Sequence, residues 1–473
     1  MAVAVLVPAR SSRAVAATAG TAADRPNVVV VMTDDMRYDE LDRVADLRPG
    51  GGFDWVRDHG TRFPRAWSTN NLCCPGRATY LTGQTSYNNG VFNNTPYADL
   101  ENTIAVWMRD AGYCTGFTGK YMNAYNKKRP RPRGWTYWEP LAKHYDLEHG
   151  YHIMRRDGTI AEPAPFITDE LARVSRAQLG DCLDRDKPAF VNLFPYAPHF
   201  RSSPKPKYED VQVPWSPPSP AYDEADISDK PKWLQDAHPA PLSQVGIDFG
   251  PFHFPLEEAT ANGARSDVQM LLSVDDALHG LIGDLRRRGE LDNTIVVLTS
   301  DNGTLAYEHR LVGKLVAYEA AQPGLWIAGP GFPKGEDVDA FSMNLDLAPT
   351  IARAGEADTA TRRKHWDGRP LQSVIADPDL GHDRFLPIFV PAFGEEKTGQ
   401  PEGRGVRTWR YKYVTYADGS EELYDLAQDP YELQSLAADP AAAPIKAAMA
   451  DLLEQAVRCS GPTCREPAPA ELR

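Results

Sequence analysis

The chain has 473 residues with a formal net charge of −14, and 42% of its residues are hydrophobic. This length exceeds a typical single core, so a large domain with a smaller companion is expected. The negative charge argues against a general nucleic-acid binder, and no apolar run approaches the roughly 20 residues of a membrane helix.

The N-terminus and the cysteines bear on the cellular compartment. Residues 1–24 are Ala-rich, which is typical of a disordered tail or of a remnant export signal without its positive n-region. An export signal predicts a secreted or periplasmic protein, and its absence predicts a cytoplasmic one. Six cysteines do not fix the compartment. Cys459 could pair with Cys464 locally, and Cys114 with Cys182 over a longer distance.

Continuous apolar runs predict the central strands. They lie at residues 28–32, 189–194, 294–298 and 325–328, and runs without alternation are typical of strands buried on both faces. Amphipathic stretches lie between them, and residues 267–288 carry apolar side chains at helical spacing. This alternation of strands and helices predicts an α/β sandwich.

The large domain is expected over residues 25–385, and two of its segments border the candidate site. Residues 113–118 predict a further strand, directly before a Gly-Lys pair. Residues 204–255 are rich in Pro, Asp and aromatic residues with weak periodicity, so we interpret them as a long surface insertion that shapes the site entrance.

The last segment of the chain predicts a small separate subdomain over residues 386–473. Residues 405–416 alternate as one strand, a turn follows at 417–419, and residues 421–426 continue. This pattern predicts a hairpin of a small antiparallel sheet. A helix over residues 443–457 is expected to cover it.

The stretch Cys73-Cys74-Pro75-Gly76-Arg77 is the most informative in the chain. Cys73 falls where a helix N-terminus directs its backbone N–H groups, which favours negative charge. Pro75 has φ preset for a first helical turn, and Arg77 returns a permanent cation to the same place. The run therefore predicts an anion held at Cys73. The alternative is a buried or disulfide-bonded cysteine.

Carboxylates follow two of the predicted strands. Asp34 and Asp35 come directly after the first run, and Asp301 and Asn302 come after the run at 294–298. Ligands of such sheets bind beyond the carboxyl ends of the strands. Hard oxygen ligands suit Ca²⁺ or Mg²⁺ rather than zinc. Either pair alone is more often a turn or a helix cap.

These motifs together resemble the type I, formylglycine-dependent sulfatases, because Pro75 and Arg77 are in frame with Cys73 rather than with Cys74. The family usually has Ser at the position of Gly76. The resemblance implies an alkaline-phosphatase-like sandwich with a large mixed, mainly parallel central sheet, plus a small C-terminal α+β subdomain with an antiparallel sheet. It also implies that a formylglycine-generating enzyme oxidises Cys73 to formylglycine.

The same resemblance implies one divalent cation, Ca²⁺ or alternatively Mg²⁺. Its ligands would be Asp34, Asp35, Asp301, Asn302 and an oxygen at position 73. Formylglycine, hydrated to a gem-diol, would supply the nucleophile, and a covalent sulfo-enzyme would form. Asp301 is the expected acceptor of its proton.

Sulfate would contact Arg77, Lys120, His199 and Lys314 in the positions that match the family. His199 or Lys314 would protonate the leaving oxygen. His309 precedes Lys314 and is expected to line the pocket.

One departure from the common pattern concerns the residues after Lys120. Many sulfatases have His two residues after this lysine, where this chain has Met122, so Asn123 or His309 is expected to substitute. Residues 119–123 and 90–95 instead resemble the N-acetylglucosamine-6-sulfatase-like branch.

The predicted activity is hydrolysis of a sulfate monoester, either on a sugar or on an aryl group. Two alternatives stay open: a phosphodiesterase or phosphonate hydrolase of the same superfamily, which would generally add His ligands, and a non-catalytic binder of sulfated glycans in which Cys73 remains a thiol. The oligomeric state is not predicted.

Overall fold

The computed structural model describes most of the chain. The described residues are 25–95, 100–123, 125–126, 128–143, 152–161, 166–199, 202–237, 246–249, 252–313, 318, 322–392 and 400–473. The predictions for residues 1–24 and for Lys314 therefore lie outside them.

The strands occur in several sheets. They are β1 Asn27–Thr33, β2 Gly60–Arg62, β3 Ala66–Trp67, β4 Cys114–Gly119, β5 Tyr137–Lys143, β6 His152–Ile153, β7 Ala189–Phe194, β8 Gly246–Phe249, β9 Phe252–Pro255, β10 Thr294–Ser300, β11 Leu305–Ala306, β12 Val312–Gly313, β13 Leu325–Ala328, β14 Glu336–Asp337, β15 Ser342–Met343, β16 Phe385–Val390, β17 Gly403–Thr408, β18 Tyr411–Tyr416 and β19 Glu421–Asp425.

The α-helices flank these sheets. They are α1 Glu40–Leu47, α2 Gly52–His59, α3 Cys73–Thr82, α4 Ser86–Asn89, α5 Ile104–Asp110, α6 Ile167–Leu183, α7 Lys232–Ala237, α8 Leu256–Arg288, α9 Leu347–Ala354, α10 Leu371–Ala376, α11 Asp379–His382 and α12 Ala443–Ala456.

The central sheet has nine strands among the described residues, in the order β14-β2-β13-β10-β1-β7-β4-β5-β6. The strands β10, β1, β7, β4 and β5 run parallel to one another, whereas β13 is antiparallel to both of its neighbours. The predicted mixed, mainly parallel sheet is confirmed, with all the predicted central strands in it.

Strand β1 shows why an unbroken apolar run was needed. Val28, Val30 and Met32 pack into the hydrophobic core on one face of the sheet, and Val29 and Val31 pack into the core on the other face. Because successive side chains point to opposite faces, a strand between two cores has no polar positions.

The C-terminal region corrects one sequence-based prediction. Residues 405–416 do not form a single strand, because β17 ends at Thr408 and β18 begins at Tyr411 as its antiparallel neighbour. The N–H of Tyr411 donates to the Thr408 hydroxyl across this tight connection at 2.9 Å. The result is a sheet of order β16-β17-β18-β19, and the predicted covering helix, α12, packs against it.

Other predictions concern the disulfides and the helix before β10. Disulfides join Cys114 to Cys182 and Cys459 to Cys464, the two pairings that the sequence left open as possibilities. Helix α8 ends at Arg288 as expected but begins at Leu256, earlier than the predicted start. None of the helices in the described part of the chain has the length and apolarity that a membrane crossing requires.

Candidate active site

Adjacent parallel strands bring the predicted site residues to one edge of the sheet. The order β10-β1-β7-β4 places the carboxyl ends of these strands side by side. The residues that follow them are Asp301 and Asn302 after β10, Asp34 and Asp35 after β1, His199 after β7, and Lys120 after β4.

The carboxylates form a compact cluster. An oxygen of each of Asp34, Asp35 and Asp301 lies within 4.8 Å of the others. The backbone N–H of Asp35 donates to Asp301 Oδ1 at 3.2 Å, and Asn302 Nδ2 donates to Asp35 Oδ1 at 2.8 Å. Asp35 has a φ of 71°, a left-handed conformation that is uncommon for a non-glycine residue and typical of constrained sites.

Two buried cations face this cluster. Arg77 Nε donates to Asp301 Oδ2 at 2.9 Å, and Arg77 Nη2 lies 3.5 Å from Asp34 Oδ2. Lys120 Nζ pairs with the same Asp34 oxygen. Burial lowers the pKa of Lys120, but the neighbouring Asp34, Cys73 and Asp301 together outweigh this effect and leave the pKa raised. Both cations therefore remain charged.

The residues present fit a hard divalent cation. Asn302 Oδ1 is buried and has no hydrogen-bond partner among the described residues. Burial and the nearby charge of Asp34 together raise the pKa of Asp301 to about 7, against the lowering effect of Arg77. A cation bound by these oxygens would compensate both the unpartnered amide oxygen and the excess negative charge, and oxygen ligands are those that Ca²⁺ and Mg²⁺ prefer.

Cys73 begins helix α3, as predicted, and its thiol faces the cluster. The thiol donates to Asp34 Oδ1 at 3.3 Å, and its Sγ lies 4.0 Å from Asp35 Oδ1. Ligand atoms of Cys73, Asp34 and His199 also lie within 4.8 Å of one another. Cys73 is buried and free of any disulfide, which rules out the disulfide-bonded alternative for this residue.

Gly76 packs directly against the backbone of Asp301. A Cβ atom at this position would lie 2.2 Å from the carbonyl oxygen of Asp301, a separation that real Cβ contacts do not show. The backbone of α3 therefore approaches Asp301 more closely than any side chain allows. This close approach gives a structural reason for glycine where the family usually has serine.

The second cysteine joins α3 to two loops. The backbone N–H of Cys74 donates to Asn94 Oδ1 at 2.9 Å, and the backbone N–H of Asn123 donates to Cys74 Sγ at 3.2 Å. Burial raises the pKa of the Cys74 thiol, so it stays protonated. Asn123 Oδ1 is buried without a partner among the described residues, and its substrate-binding role stays a prediction.

An aromatic ring supports the two basic side chains on the β4–β7 side. The Tyr196 and His199 rings stack with their centroids 4.5 Å apart, and Lys120 Nζ lies 4.9 Å from the Tyr196 centroid. His199 Nε2 is 3.8 Å from Asp35 Oδ2. The sequence indicated His199 and Lys120 but not the ring between them.

His309 lies against the 204–255 insertion. Its Nδ1 is 2.6 Å from Glu224 Oε2, and its ring is buried. Arg310 Nε donates to the Glu224 carbonyl at 2.8 Å. These contacts hold the 204–255 segment, through Glu224, against the loop that follows Asn302. The predicted role of His309 in lining the substrate pocket stays a prediction.

Sequence reasoning missed three supporting residues, namely Asn94, Tyr196 and Glu224. Asn94 and Glu224 contact Cys74 and His309, which lie 20 and 85 positions away, so no local spacing indicated them. Tyr196 stacks on the nearby His199, but its contact with Lys120 depends on the pairing of β4 with β7. The neighbouring Asn pair in residues 90–95 was the one available signal for Asn94.

Comparison with known families decides the assignment. The family described as Sulfatase matches residues 26–357, and the C-terminal family of N-sulphoglucosamine sulphohydrolase matches residues 307–458. The chain belongs to the sulfatase family. It is accordingly a sulfuric ester hydrolase.

Individual relatives agree with this assignment. An N-acetylglucosamine-6-sulfatase of Homo sapiens is 28% identical over 94% of this chain and 86% of its own length. An arylsulfatase of Volvox carteri is 27% identical over 96% of this chain and 77% of its own length.

Solved structures share the fold. An enzyme bound to its substrate D-glucosamine-2-N,6-O-disulfate superposes with a TM-score of 0.75 and 22% identity, covering 91% of this chain and 97% of that one. A phosphonate monoester hydrolase from Silicibacter pomeroyi gives 0.71 and 23%, covering 93% and 96%.

The unpartnered Asn302 Oδ1 predicts the effect of removing one cation ligand. We expect Ca²⁺ to raise the melting temperature of the protein, because a ligand at 100 times its Kd stabilises by about 2.7 kcal/mol. Asn302→Ala should weaken Ca²⁺ binding about tenfold in a calorimetric titration. The matched control is Asn344→Ala, since Asn344 Oδ1 is equally buried without a partner. Identical titrations for Asn302→Ala and the parent protein would contradict the assignment.

The contact at Gly76 predicts a strong position dependence for added side chains. We expect Gly76→Ala to lower the free energy of unfolding by about 1–3 kcal/mol, the usual cost of overpacking, and to weaken Ca²⁺ binding by displacing Asp301. Gly263→Ala is the control, because nothing lies within 4 Å of a Cβ there and alanine favours helix. Denaturant unfolding measures the free energy of unfolding of both variants. A Gly76→Ala protein as stable as the Gly263→Ala protein would show that α3 does not require glycine at position 76.

Proposed function

We propose that this sulfatase acts through formylglycine derived from Cys73, with one divalent cation, most simply Ca²⁺, at the carboxylate cluster. The observation that carries the proposal is the position of the Cys73 thiol, at a helix N-terminus and 3.3 Å from Asp34. A formylglycine-generating enzyme would be needed during maturation.

The proposed cation ligands are Asp34, Asp35, Asp301 and Asn302, together with the side chain at position 73. The cation would offset charge on the sulfate oxygens. Formylglycine at position 73, hydrated to a gem-diol, would supply an oxygen nucleophile for sulfur. Expulsion of sulfate would return the aldehyde, and addition of water would restore the gem-diol.

Side chains of the protein would bind the sulfate and donate the proton to the leaving group. Arg77 and Lys120, both buried and charged, would bind sulfate oxygens, and Lys314 would join them. His199 lies within reach of position 73 and would donate a proton to the leaving oxygen. Lys314 is the alternative donor.

The acceptor of the nucleophile's proton was predicted to be Asp301. The geometry supports Asp34 more directly, because Asp34 Oδ1 already accepts the hydrogen bond from the Cys73 thiol. Asp301 Oδ1 instead accepts from the backbone N–H groups of Asp35 and Asn302, and its Oδ2 accepts from Arg77.

We further propose that the substrate is a sulfate ester on a sugar. The support comes from the relatives named N-acetylglucosamine-6-sulfatase, together with the departure after Lys120, where Met122 stands in place of the common histidine and Asn123 follows. We also propose a secreted or periplasmic location, which the two disulfides favour. The proposed division into residues 25–385 and 386–473 is supported by the separate C-terminal sheet of β16 to β19.

The decisive experiment concerns Cys73. After co-expression with a formylglycine-generating enzyme, mass spectrometry of the peptide containing residue 73 should show the aldehyde. Cys73→Ala should lower turnover of an aryl sulfate at least about 1000-fold, because nucleophile removal eliminates the covalent route. Cys74→Ala is the matched control and should retain the aldehyde at position 73.

Each of the two alternative functions predicts a different experimental result. Unmodified Cys73 with sulfate-ester binding but no turnover would identify a non-catalytic glycan binder. Faster hydrolysis of a phenyl phosphonate than of any sulfate ester would identify a phosphonate hydrolase.

Asn123 predicts a substrate effect. Its unpartnered side-chain oxygen should accept a hydrogen bond from the sugar, so Asn123→Ala should lower kcat/KM for N-acetylglucosamine 6-sulfate about tenfold. The control is Asn126→Ala, an exposed position in the same loop, which should change kcat/KM less than twofold. Equal values for both variants would remove Asn123 from the site.

A further inference from the structure

A cleft separate from the carboxylate cluster lies between the central sheet and the C-terminal sheet. It encloses a cavity of about 270 Å³, lined among others by Tyr38, Arg65, Trp67, Arg407 and Tyr431. We call it the arginine cleft. Its volume is near the lower limit of about 300 Å³ for small-molecule pockets, which suits a single ring.

The arginine cleft opens at the same edge of the sheet as the candidate active site. Tyr38 follows β1 shortly after Asp35, and Arg65 follows β2, which runs parallel to β10 because both are antiparallel to β13. Trp67 lies on β3, in the segment that leads to Cys73. The chain segments that line the cleft at Tyr38 and Trp67 therefore continue directly into the candidate active site at Asp35 and Cys73.

Arg407 gives the cleft its charge. Its side chain is 3% exposed, and the guanidinium carbon lies 4.0 Å from the Trp67 ring centroid. Its Nη1 donates to the Thr408 carbonyl at 3.1 Å, but its buried Nε has no hydrogen-bond partner among the described residues. An unpaired buried donor on a cation is costly, since both charge and donor have left water.

The neighbouring carboxylates are already engaged. Asp339, which also lines the cleft, pairs with Arg65 at 2.7 Å. Glu432 pairs with Lys412 at 2.5 Å. Burial and the nearby charge of Arg65 together lower the pKa of Arg407 to about 9, against the raising effect of Glu432. The cleft therefore holds one more cation than these carboxylates offset.

Tyr431 adds an apolar surface at the mouth of the cleft. Its side chain is 38% exposed, and among the described residues it is the one large hydrophobic side chain that is exposed. Aromatic rings beside a cation are a common platform for an anionic ring-shaped ligand, because they offer contact area at low entropic cost.

We propose that the arginine cleft binds an anionic group, a sulfate or a carboxylate, on the sugar ring next to the one whose ester is cleaved. This inference rests on the proposed function, because it places the scissile sulfate at Cys73. It assigns the C-terminal sheet, through Arg407 and Tyr431, a part in choosing the substrate.

The test uses the full-length Cys73→Ala protein, which should bind esters without hydrolysing them. The probes are N-acetylglucosamine 6-sulfate alone, and the same sugar joined to galactose, to galactose 6-sulfate or to glucuronic acid. Calorimetry should show that one or both charged disaccharides bind about tenfold more tightly than the neutral one, the effect of one charge-assisted hydrogen bond. The comparison of the two charged probes identifies sulfate or carboxylate as the preferred group.

Added substitutions locate the effect. Arg407→Gln should abolish the difference between charged and neutral disaccharides. Because Arg407 is buried, circular dichroism is used to check that the Arg407→Gln protein folds. If that variant does not fold, Arg65→Gln provides the test instead. Arg65 is 40% exposed, and its loss should reduce the difference at least threefold. The matched control is Arg458→Gln, which is 78% exposed just after the end of α12 and likewise ion-paired, and it should leave the difference unchanged.

Two results would overturn the inference: equal affinities for charged and neutral disaccharides, or a difference that the folded cleft variants leave unchanged. Failure of the proposed function would look different. In that case the monosaccharide sulfate would be neither bound by the Cys73→Ala protein nor hydrolysed by the parent enzyme.

Discussion

Mutual repulsion of three carboxylates, two of them buried and one partly buried, is the constraint around which this site is organised. Asp34, Asp35 and Asp301 meet because parallel strands end at one edge of the sheet. Burying like charges is expensive unless opposite charges or a metal compensate them. Arg77 and Lys120 compensate part of this charge, and both are fully buried. The remaining negative charge is what makes a divalent cation fit.

That electrostatic arrangement fixes the surrounding architecture. Arg77 reaches Asp301 only because α3 approaches the Asp301 backbone at Gly76. The same approach places the first residue of α3, Cys73, against Asp34. One helix thus supplies the proposed nucleophile precursor, a compensating cation and a close backbone contact. The C-terminal sheet contributes a separate buried cation, Arg407, which we propose meets the charge of a ligand outside this cluster.

Much of this could be predicted from sequence because it rests on local signals. The unbroken run at β1 reports burial on both faces, and Pro75 with the following apolar residues reports a helix that begins at Cys73. The split of residues 405–416 into β17 and β18 was not predictable from alternation. Two antiparallel strands joined by a tight turn keep nearly the same pattern as one long strand, so the pattern does not show where the chain reverses.

The sequence by itself determined the strands, the start of α3, and the types of residue that carry the chemistry, because each depends on neighbours within a few positions. The tertiary structure alone decided which of them meet. Arg77 and Asp301 are 224 positions apart, and His309 and Glu224 are 85 apart. Contacts at such separations follow from strand order and packing, which no local pattern encodes. For the same reason Arg407, an ordinary strand residue in the sequence, becomes a buried cation in a cleft only when two sheets pack together.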